Sequence, residues 1–228
     1  MRTIVYQTDS SPPARAVKMI LYILGLEFEI REMNPLLREQ DAPEMRKKNP
    51  MRTVPFIEEG DFCLSDSHAI AIYLFEKYGN PEHEYLYPKD MRKRATVNQR
   101  LFFDCGILFQ RLRSIMAPTY MGIMTEMPKE VILGIKNAYR MLEEYLSQST
   151  YLADENMTIA DVCAVATVSS LDGMYPVEEK RYPKTRRWLD TMYNKDFCRI
   201  ANQPGCELHV AHLKFAMENN KLNKKAKL

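Results

Sequence analysis

The order of hydrophobic patterns in the first 80 residues is the feature that most constrains the fold. Segments that alternate apolar and polar residues, as strands do, take turns with segments of helical spacing. The predicted order is strand, helix, strand, helix, strand, strand, helix, over Thr3–Gln7, Pro12–Gly25, Phe28–Met33, Asp41–Lys48, Val54–Glu58, Phe62–Leu64 and Ala69–Tyr78. This succession predicts a mixed sheet with helices on both faces.

The pattern changes at Pro81–Asp90, a polar segment flanked by proline. Beyond it the apolar spacing is helical and strand signals vanish. Helices are predicted over Met91–Met116, Lys129–Ser147, Thr158–Leu171, Tyr182–Asn194, Phe197–Asn202 and Glu207–Glu218. We therefore predict an α/β, thioredoxin-like domain over residues 1–80, a linker over 81–90 and an all-helical (all-α) domain over 91–228.

The segment Thr158-Ile159-Ala160-Asp161 has the spacing of a capping box, with aspartate in place of the usual glutamate. Met157 and Val162 flank it as a hydrophobic staple would. We expect the helix that begins here to be the central helix of the second domain.

Composition excludes several classes of protein. The chain has 32 Lys+Arg against 30 Asp+Glu, a formal net charge of +2, and no aromatic-basic stripe, so we expect no nucleic-acid partner. No apolar run approaches membrane-spanning length and no signal-peptide core is evident, so we expect no membrane insertion and a soluble, cytoplasmic protein. The lysine-rich end, Lys221–Leu228, is predicted to be solvated and frayed.

Cysteine and histidine usage argues against disulfides and metal. The five cysteines form no C-x-x-C pair and are odd in number, which is typical of buried thiols in a reducing compartment. His209 and His212 could share a helix face, but no third ligand is evident, so no metal site is expected.

The turn after the first strand holds the candidate reactive group. Ser10 and Ser11 stand directly before Pro12-Pro13, at the start of the first helix. Free backbone N–H groups and the positive end of the helix dipole favour an anion at such a position. A serine hydroxyl there either donates a hydrogen bond to a bound thiolate or only caps the helix. The turn lacks the cysteine that thiol–disulfide exchange would need.

Four motifs occur in order along the chain: S-P-P-x-R-A-V, N-P-x-x-T-V-P, D-S-H-A-I-x-x-Y-L and T-I-A-D. Together they resemble the cytosolic glutathione transferases over essentially the whole chain. The Ser-Pro-Pro opening and Leu108-Phe109-Gln110-Arg111 are most similar to the insect delta and epsilon classes, epsilon more than delta. The resemblance implies a homodimer that uses glutathione as co-substrate and serves detoxification of xenobiotics.

The resemblance implies a role for each residue of the glutathione site. Ser11, rather than its neighbour Ser10, would stabilise the thiolate as the catalytic residue. Val54-Pro55, preceded by Thr53, would be a cis-proline turn whose backbone pairs with the tripeptide. Asp66 would bind the γ-glutamyl ammonium and Ser67 the carboxylate, with His68 beside them. The alternative interpretation is that Asp66 and Ser67 only cap the following helix.

Two positions depart from the family pattern, which usually has histidine in the loop after the second strand and in N-P-Q-H-T. Here they are Gln40 and Arg52, which still donate hydrogen bonds and could bind the glycyl carboxylate. The acidic residue before Ser67, often glutamate, is the shorter Asp66.

A hydrophobic second substrate would lie against the helical domain. The candidate residues are Pro13, Leu36, Ile107, Leu108, Arg111, Leu112, Ile115, Met116 and Tyr120. Leu108, Leu112 and Ile115 share a helical face with Arg111, and we expect at least half of the set to be core packing. An arginine within an apolar stripe suggests a polar contact to glutathione or substrate.

The resemblance implies a transferase that conjugates the glutathione thiolate to hydrophobic electrophiles. Peroxidase, isomerase or dehydrochlorinase activity at the same site is an alternative. A non-catalytic carrier of hydrophobic ligands, with a weakened glutathione site, is another. The presence of Ser11, Asp66 and Ser67 argues against the carrier, which needs none of them.

Overall fold

The computed structural model describes residues 3–226, except for the side chain of Leu36. Four strands form one sheet in the order β2-β1-β3-β4. They are β1 (Ile4–Gln7), β2 (Glu29–Glu32), β3 (Phe56–Glu59) and β4 (Phe62–Ser65). Strand β1 is parallel to β2 and antiparallel to β3, and β3 forms a hairpin with β4. The predicted mixed sheet is therefore confirmed.

Helices cover both faces of the sheet. They are α1 (Pro12–Ile23), α2 (Pro43–Lys48) and α3 (Ser67–Tyr78). Side chains alternate across a strand, so Val5 and Ile57 pack with α1 and α3 while Tyr6 and Phe56 face α2. The rings of Tyr6 and Phe56 stack with centroids 4.2 Å apart.

The rest of the described chain is helical. The helices are α4 (Met91–Phe103), α5 (Phe109–Tyr120), α6 (Lys129–Tyr145), α7 (Ile159–Met174), α8 (Pro183–Tyr193), α9 (Asp196–Ala201) and α10 (Gln203–Lys225). Helix α7 is buried from Ile159 through Leu171 on all sides, as befits a central helix. The predicted capping box at Thr158 and Asp161 is present.

A buried arginine joins the two parts of the chain. Arg15 on α1 is fully buried, and its guanidinium donates to the Asn202 side chain at 2.5 Å, to Ser170 Oγ at 2.6 Å and to the Ala166 carbonyl at 3.1 Å. These acceptors lie on α7 and just before α10. The contacts fix the start of α1 against the helical part, so the turn before α1 has a defined position.

Two helical predictions need correction. The helix predicted over Met91–Met116 is interrupted by a π-helical segment, Asp104–Leu108, and it continues to Tyr120. The last helix is longer than predicted, Gln203–Lys225. The lysines at its end are exposed, as predicted, but they are helical rather than frayed. Lysine side chains favour this position because the C-terminal end of a helix dipole is negative. Residues 227–228 of the predicted frayed segment lie outside the described part of the chain.

The cysteines behave much as expected. Cys163, Cys198 and Cys206 are buried, Cys63 and Cys105 are partly buried, and all five are free thiols. In the described part of the chain, no helix is both long enough and apolar enough to cross a membrane.

Candidate active site

Ser11 occupies the N-cap position of α1. Its backbone N–H donates to the Thr8 carbonyl at 3.0 Å, and its side-chain oxygen accepts a long hydrogen bond, 3.4 Å, from Ala14 N. Pro12 and Pro13 carry no N–H, so the first backbone N–H of the helix is that of Ala14, which Ser11 caps. Among residues 3–226, no group accepts the hydroxyl proton, which is therefore available to an anion placed before α1.

The Val54–Pro55 peptide bond is cis, as predicted. The ladder between β1 and β3 begins at Phe56, so the backbone of Val54 lies outside it. Thr53 is held by Asn49, whose side-chain amide donates to the Thr53 carbonyl at 2.8 Å. Thr53 and Val54 lie in the wall of one cleft together with the N-terminus of α1.

The structure separates the two residues that replace the family histidines. Arg52 lies in the wall of the cleft with a left-handed backbone (φ 53°) and pairs with Asp41 at 3.3 Å. Gln40 donates a weak hydrogen bond, 3.4 Å, to the Pro35 carbonyl, and its buried Oε1 has no partner among the residues that the structure describes. Gln40 is not part of the cleft wall, so of these two residues Arg52 alone lies there.

Asp66 caps α3 from a backbone with φ 75° and ψ 118°, a positive-φ conformation that L-residues rarely adopt. Its Oδ1 accepts hydrogen bonds from the backbone N–H groups of His68 at 2.9 Å and Ala69 at 3.1 Å. No hydrogen bond within residues 3–226 reaches its Oδ2, and Ser67, the first residue of α3, lines the same cavity. A carboxylate and a helix start, side by side, suit an ammonium and a carboxylate of one ligand.

His68 links this corner to the helical part. Its Nε2 lies 2.9 Å from Asp104 Oδ2 in the π-helical segment, and its Nδ1 lies 3.5 Å from Asp66 Oδ1. Burial opposes the charged ring, but the hydrogen bonds to Asp104 and Asp66 outweigh it and raise the pKa of His68 to about 9. The hydrogen bond from His68 in turn lowers the pKa of Asp66.

These elements meet at two adjoining cavities of about 660 and 210 Å³. The larger contains Ser10, Ser11 and Arg52, and the smaller contains Asp66, Ser67 and His68. The two share a boundary formed by Pro13, Thr53, Val54, Phe109 and Arg113. One continuous cleft therefore connects the start of α1, the Val54 backbone and the start of α3.

Models of two protein domains match this chain. Residues 5–82 match the N-terminal domain of glutathione S-transferases, and residues 115–196 match the C-terminal domain. Together the two matches span more than half of the chain. The chain belongs to the glutathione S-transferase family.

Individual glutathione transferases are similar to this chain over nearly their full length. Glutathione S-transferase 1 of Manduca sexta is 40% identical, over 90% of this chain and 94% of its own. An epsilon-class glutathione S-transferase from the housefly, Musca domestica, has a TM-score of 0.91 and 39% identity, over 94% and 98% of the two chains. A glutathione transferase homologue from Drosophila mojavensis, solved with bound glutathione, has a TM-score of 0.89 and 39% identity, over 94% and 97%.

The structure divides the residues that were predicted to line the second-substrate pocket of this transferase. Pro13, Met116 and Tyr120 lie in the cleft wall. Leu108, Leu112 and Ile115 are fully buried in the core, Ile107 packs against that core, and the side chain of Leu36 is outside the described residues. The apolar stripe is therefore mostly packing, as was expected for at least half of the set.

Arg111 also lies away from the cleft. A methyl group placed on Gly134 of α6 would lie 3.2 Å from Arg111 Cδ, so the arginine stem packs against α6. Its Nε is buried and has no hydrogen-bond partner in the described part of the chain. This corrects the expectation of a polar contact to glutathione or substrate.

Sequence reasoning missed part of the face of α5 that reaches the cleft of the transferase. Only Phe109 and Arg113 of this face were not predicted; at helical spacing they line the cleft together with Met116 and Tyr120, which were. Helix α10 contributes Leu208, His209 and His212. Burial and the nearby charges of Arg15 and His212 lower the pKa of His209 to about 3, so that ring is neutral. The apolar spacing of α5 was a usable signal, but nothing local showed where α10 would dock.

Proposed function

We propose that this transferase binds glutathione along the cleft from α3 to α1 and conjugates its thiolate to hydrophobic electrophiles. One observation carries the proposal: the N-termini of α1 and α3 open, on either side of the Val54 backbone, onto one continuous cleft. The bound glutathione in the homologous structure from Drosophila mojavensis supports the choice of ligand.

The proposed orientation follows from charge. The ammonium of the γ-glutamyl group binds Asp66 Oδ2, and its carboxylate binds Ser67 at the start of α3. The central amide pairs with the backbone of Val54, which lies outside the β1–β3 ladder. The glycyl carboxylate lies toward Arg52, and this orientation leaves the cysteinyl sulfur in front of α1.

Ser11 is the proposed catalytic residue. Its hydroxyl donates to the sulfur, and the positive end of the α1 dipole adds to the stabilisation of the anion. Both effects lower the pKa of the bound thiol, whose proton passes to solvent. The thiolate then attacks the electrophilic carbon, a carbon–sulfur bond forms, and the leaving group departs with the bonding electron pair.

The second substrate is proposed to lie in the larger cavity, where Phe109, Met116, Tyr120 and Leu208 supply apolar surface. Holding the electrophile beside an ionised sulfur supplies rate through proximity, without a further acid or base.

The experiment is conjugation of glutathione to a chloronitrobenzene by the wild type, Ser11→Ala and Ser10→Ala. We expect Ser11→Ala to lose about 10²-fold in kcat, the scale for removing one donor to a developing anion, with glutathione affinity nearly unchanged. Ser10→Ala is the matched control and keeps its rate. A wild type that binds hydrophobic dyes but turns over no electrophile would favour the carrier instead.

The organisation of the chain is part of the proposal. We propose a glutathione-binding domain over residues 1–80, a linker over 81–90 and a helical domain over 91–228. The match to the N-terminal domain of the family ends at residue 82 and the match to the C-terminal domain begins at residue 115, which supports this division. The free thiols support a reducing, cytoplasmic location.

We also propose a homodimer, as is typical of the family. Phe102 on α4 is 75% exposed and Met91 is 83% exposed, which suits a covered surface in an assembly. Light scattering on the purified protein tests this, since a monomer mass at micromolar concentration contradicts it.

A further inference from the structure

A second set of ligating atoms lies at the inner end of the cleft. A carboxylate oxygen of Asp66, a ring nitrogen of His68 and the thiol sulfur of Cys105 all lie within 4.8 Å of one another. Asp66 and His68 come from the start of α3, and Cys105 comes from the π-helical segment. All three side chains line the smaller cavity, so an ion has access to them.

The environment of His68 is an independent sign of a ligand. Asp104 is 2% exposed, and its Oδ2 lies 2.9 Å from His68 Nε2. An ionised carboxylate only accepts hydrogen bonds, so Nε2 is the donor and Nδ1 is directed to the Asp66 side. A carboxylate behind a histidine is the arrangement that orients metal-binding imidazoles.

A buried oxygen supports the same conclusion. Asp104 Oδ1 is buried and has no hydrogen-bond partner among the described residues. Two carboxylates therefore surround one imidazole, and the negative charge of Asp104 is incompletely matched. A cation bound at Nδ1 of His68 would take the place of the proton there and leave the hydrogen bond between Nε2 and Asp104 intact.

We propose that Asp66, His68 through Nδ1, and Cys105 bind one Zn²⁺ ion, with water as the fourth ligand. Zinc favours sulfur, imidazole and carboxylate ligands in a tetrahedron, whereas Mg²⁺ and Ca²⁺ favour oxygen alone. Zinc–ligand bonds of about 2.0–2.3 Å place ligand atoms roughly 3.3–3.8 Å apart. Side-chain rotation has to close the present separations by about 1 Å to reach that geometry.

Binding exchanges protons for the ion and involves no redox step. The Cys105 thiol loses its proton to become the thiolate ligand, and the ring releases any proton on Nδ1. The Nε2 proton stays in the hydrogen bond to Asp104. The two protons released match the two charges of the ion, so the net charge of Asp66, His68, Asp104 and Cys105 is the same before and after binding.

Zinc should compete with glutathione, a consequence that rests on the proposed function. Asp66 cannot bind the γ-glutamyl ammonium and a zinc ion at once. The site would therefore make the transferase sensitive to free zinc, with the ion excluding the γ-glutamyl end of the co-substrate. Metal binding itself does not depend on this coupling.

The first test is a titration of metal-free protein with Co²⁺, a coloured substitute for Zn²⁺, in buffer without thiols. We expect a thiolate-to-cobalt charge-transfer band that saturates at one equivalent and that Zn²⁺ abolishes. Cys105→Ser should lose the band, and Cys63→Ser, which removes a partly buried thiol elsewhere, should keep it. His68→Gln should weaken Co²⁺ binding by about tenfold or more.

The second test is competition with S-methylglutathione, which lacks the free thiol that would chelate metal. It should raise the apparent Kd for Co²⁺ in proportion to its concentration. A missing band, a band unchanged in Cys105→Ser, or a band lost in Cys63→Ser would overturn the site.

The two proposals fail separately. Glutathione binding and conjugation are measured with a chelator present, and cobalt binding is measured without glutathione. Cobalt binding in a protein that does not bind glutathione would overturn the proposed function alone. Conjugation by a protein that shows no cobalt band would overturn the zinc site alone.

Discussion

Two buried carboxylates near helix starts have opposite environments. Asp161 accepts hydrogen bonds from Leu152 N at 2.8 Å and Trp188 Nε1 at 2.9 Å through Oδ1, and from the backbone and hydroxyl of Thr158 through Oδ2. Asp104 has His68 on one oxygen, and no described residue pairs with the other. Asp161 is sealed within the core, whereas Asp104 lies beside the cleft.

The difference separates structure from function in this fold. A buried polar group with all partners provided by the protein stabilises and specifies the core, and it has nothing left for a ligand. A buried polar group with one atom that lacks a hydrogen-bond partner lowers the stability of the fold, unless a ligand or ion pairs with that atom. Polar groups open to the cleft, among them Ser11 and Asp66, are therefore the ones to which we assign ligand contacts.

The largest expected effect is on stability, at Asp161. In Asp161→Asn the amide replaces one acceptor oxygen with a donor, so either Leu152 N–H and Trp188 Nε1–H or the backbone N–H of Thr158 lose their buried acceptor, depending on which oxygen is replaced. We expect the free energy of unfolding to fall by about 3 kcal/mol or more, measured by urea denaturation.

The control for Asp161 is Asp154→Asn, which removes an exposed ion pair with Lys93, 2.7 Å long. It should cost at most about 1 kcal/mol. Equal losses in the two variants would contradict the contrast between a sealed and an exposed carboxylate.

The next effect is a pH dependence at His68. Its pKa is about 9 in the folded protein and about 6.5 in the unfolded chain, so folding favours the protonated ring. The stabilisation is complete below pH about 6.5 and disappears as pH rises to about 9, and it amounts to at most about 3 kcal/mol.

The measurement compares urea unfolding of wild type and His68→Gln from pH 6 to 9.5 with a chelator present. The gap in stability should narrow as pH rises. A gap that is constant over this range would show that the ring does not titrate between its two carboxylates.

A smaller effect is expected on ligand affinity at Asp66. Asp66→Asn keeps a side chain that caps helices well but removes the negative charge. We expect glutathione to bind about 10- to 100-fold more weakly, because a charge-assisted hydrogen bond contributes about 1.5–3 kcal/mol.

Asp90→Asn is the matched control for Asp66. Asp90 caps α4 in the same way, through the N–H groups of Arg92 and Lys93, but it lies outside the cleft. Calorimetry should show unchanged glutathione affinity in this variant. Loss of affinity in both would mean that capping, not charge, matters at Asp66.

The smallest expected effect tests which face of α5 reaches the substrate. Arg111→Gln should change the KM for the electrophile by no more than about twofold, since Arg111 packs against α6. Arg113→Gln alters the cleft wall and should change KM by more. The reverse result would restore the prediction made from the sequence.

Much of the fold was predictable because its signals are local. The proline start of α1, the alternation in the strands and the capping box at Thr158 depend on neighbours within a few residues. The cis bond at Val54–Pro55 followed from a family resemblance rather than from such patterns. The confirmed elements of the first 80 residues were therefore predicted either from local sequence patterns or from the family resemblance.

The rest depended on contacts between distant segments. The π-helical segment brings Asp104 to His68, 36 residues away, and no local pattern encodes that pairing. The sequence correctly predicts that the apolar residues of α5 share one face of the helix. Whether that face lies in the core or in the cleft depends on which distant segments pack against it. Helix α10 reaches the cleft because Arg15 is held by Asn202 and Ser170, a contact over more than 150 residues.

The central claim is that Ser11 stabilises the thiolate of bound glutathione. The most direct measurement is the ultraviolet absorbance of that thiolate as a function of pH, in complexes with wild type, Ser11→Ala and Ser10→Ala. We predict a thiol pKa below that of free glutathione in wild type and Ser10→Ala, and a rise of about one unit or more in Ser11→Ala. A thiol pKa that is the same in all three complexes would contradict the account.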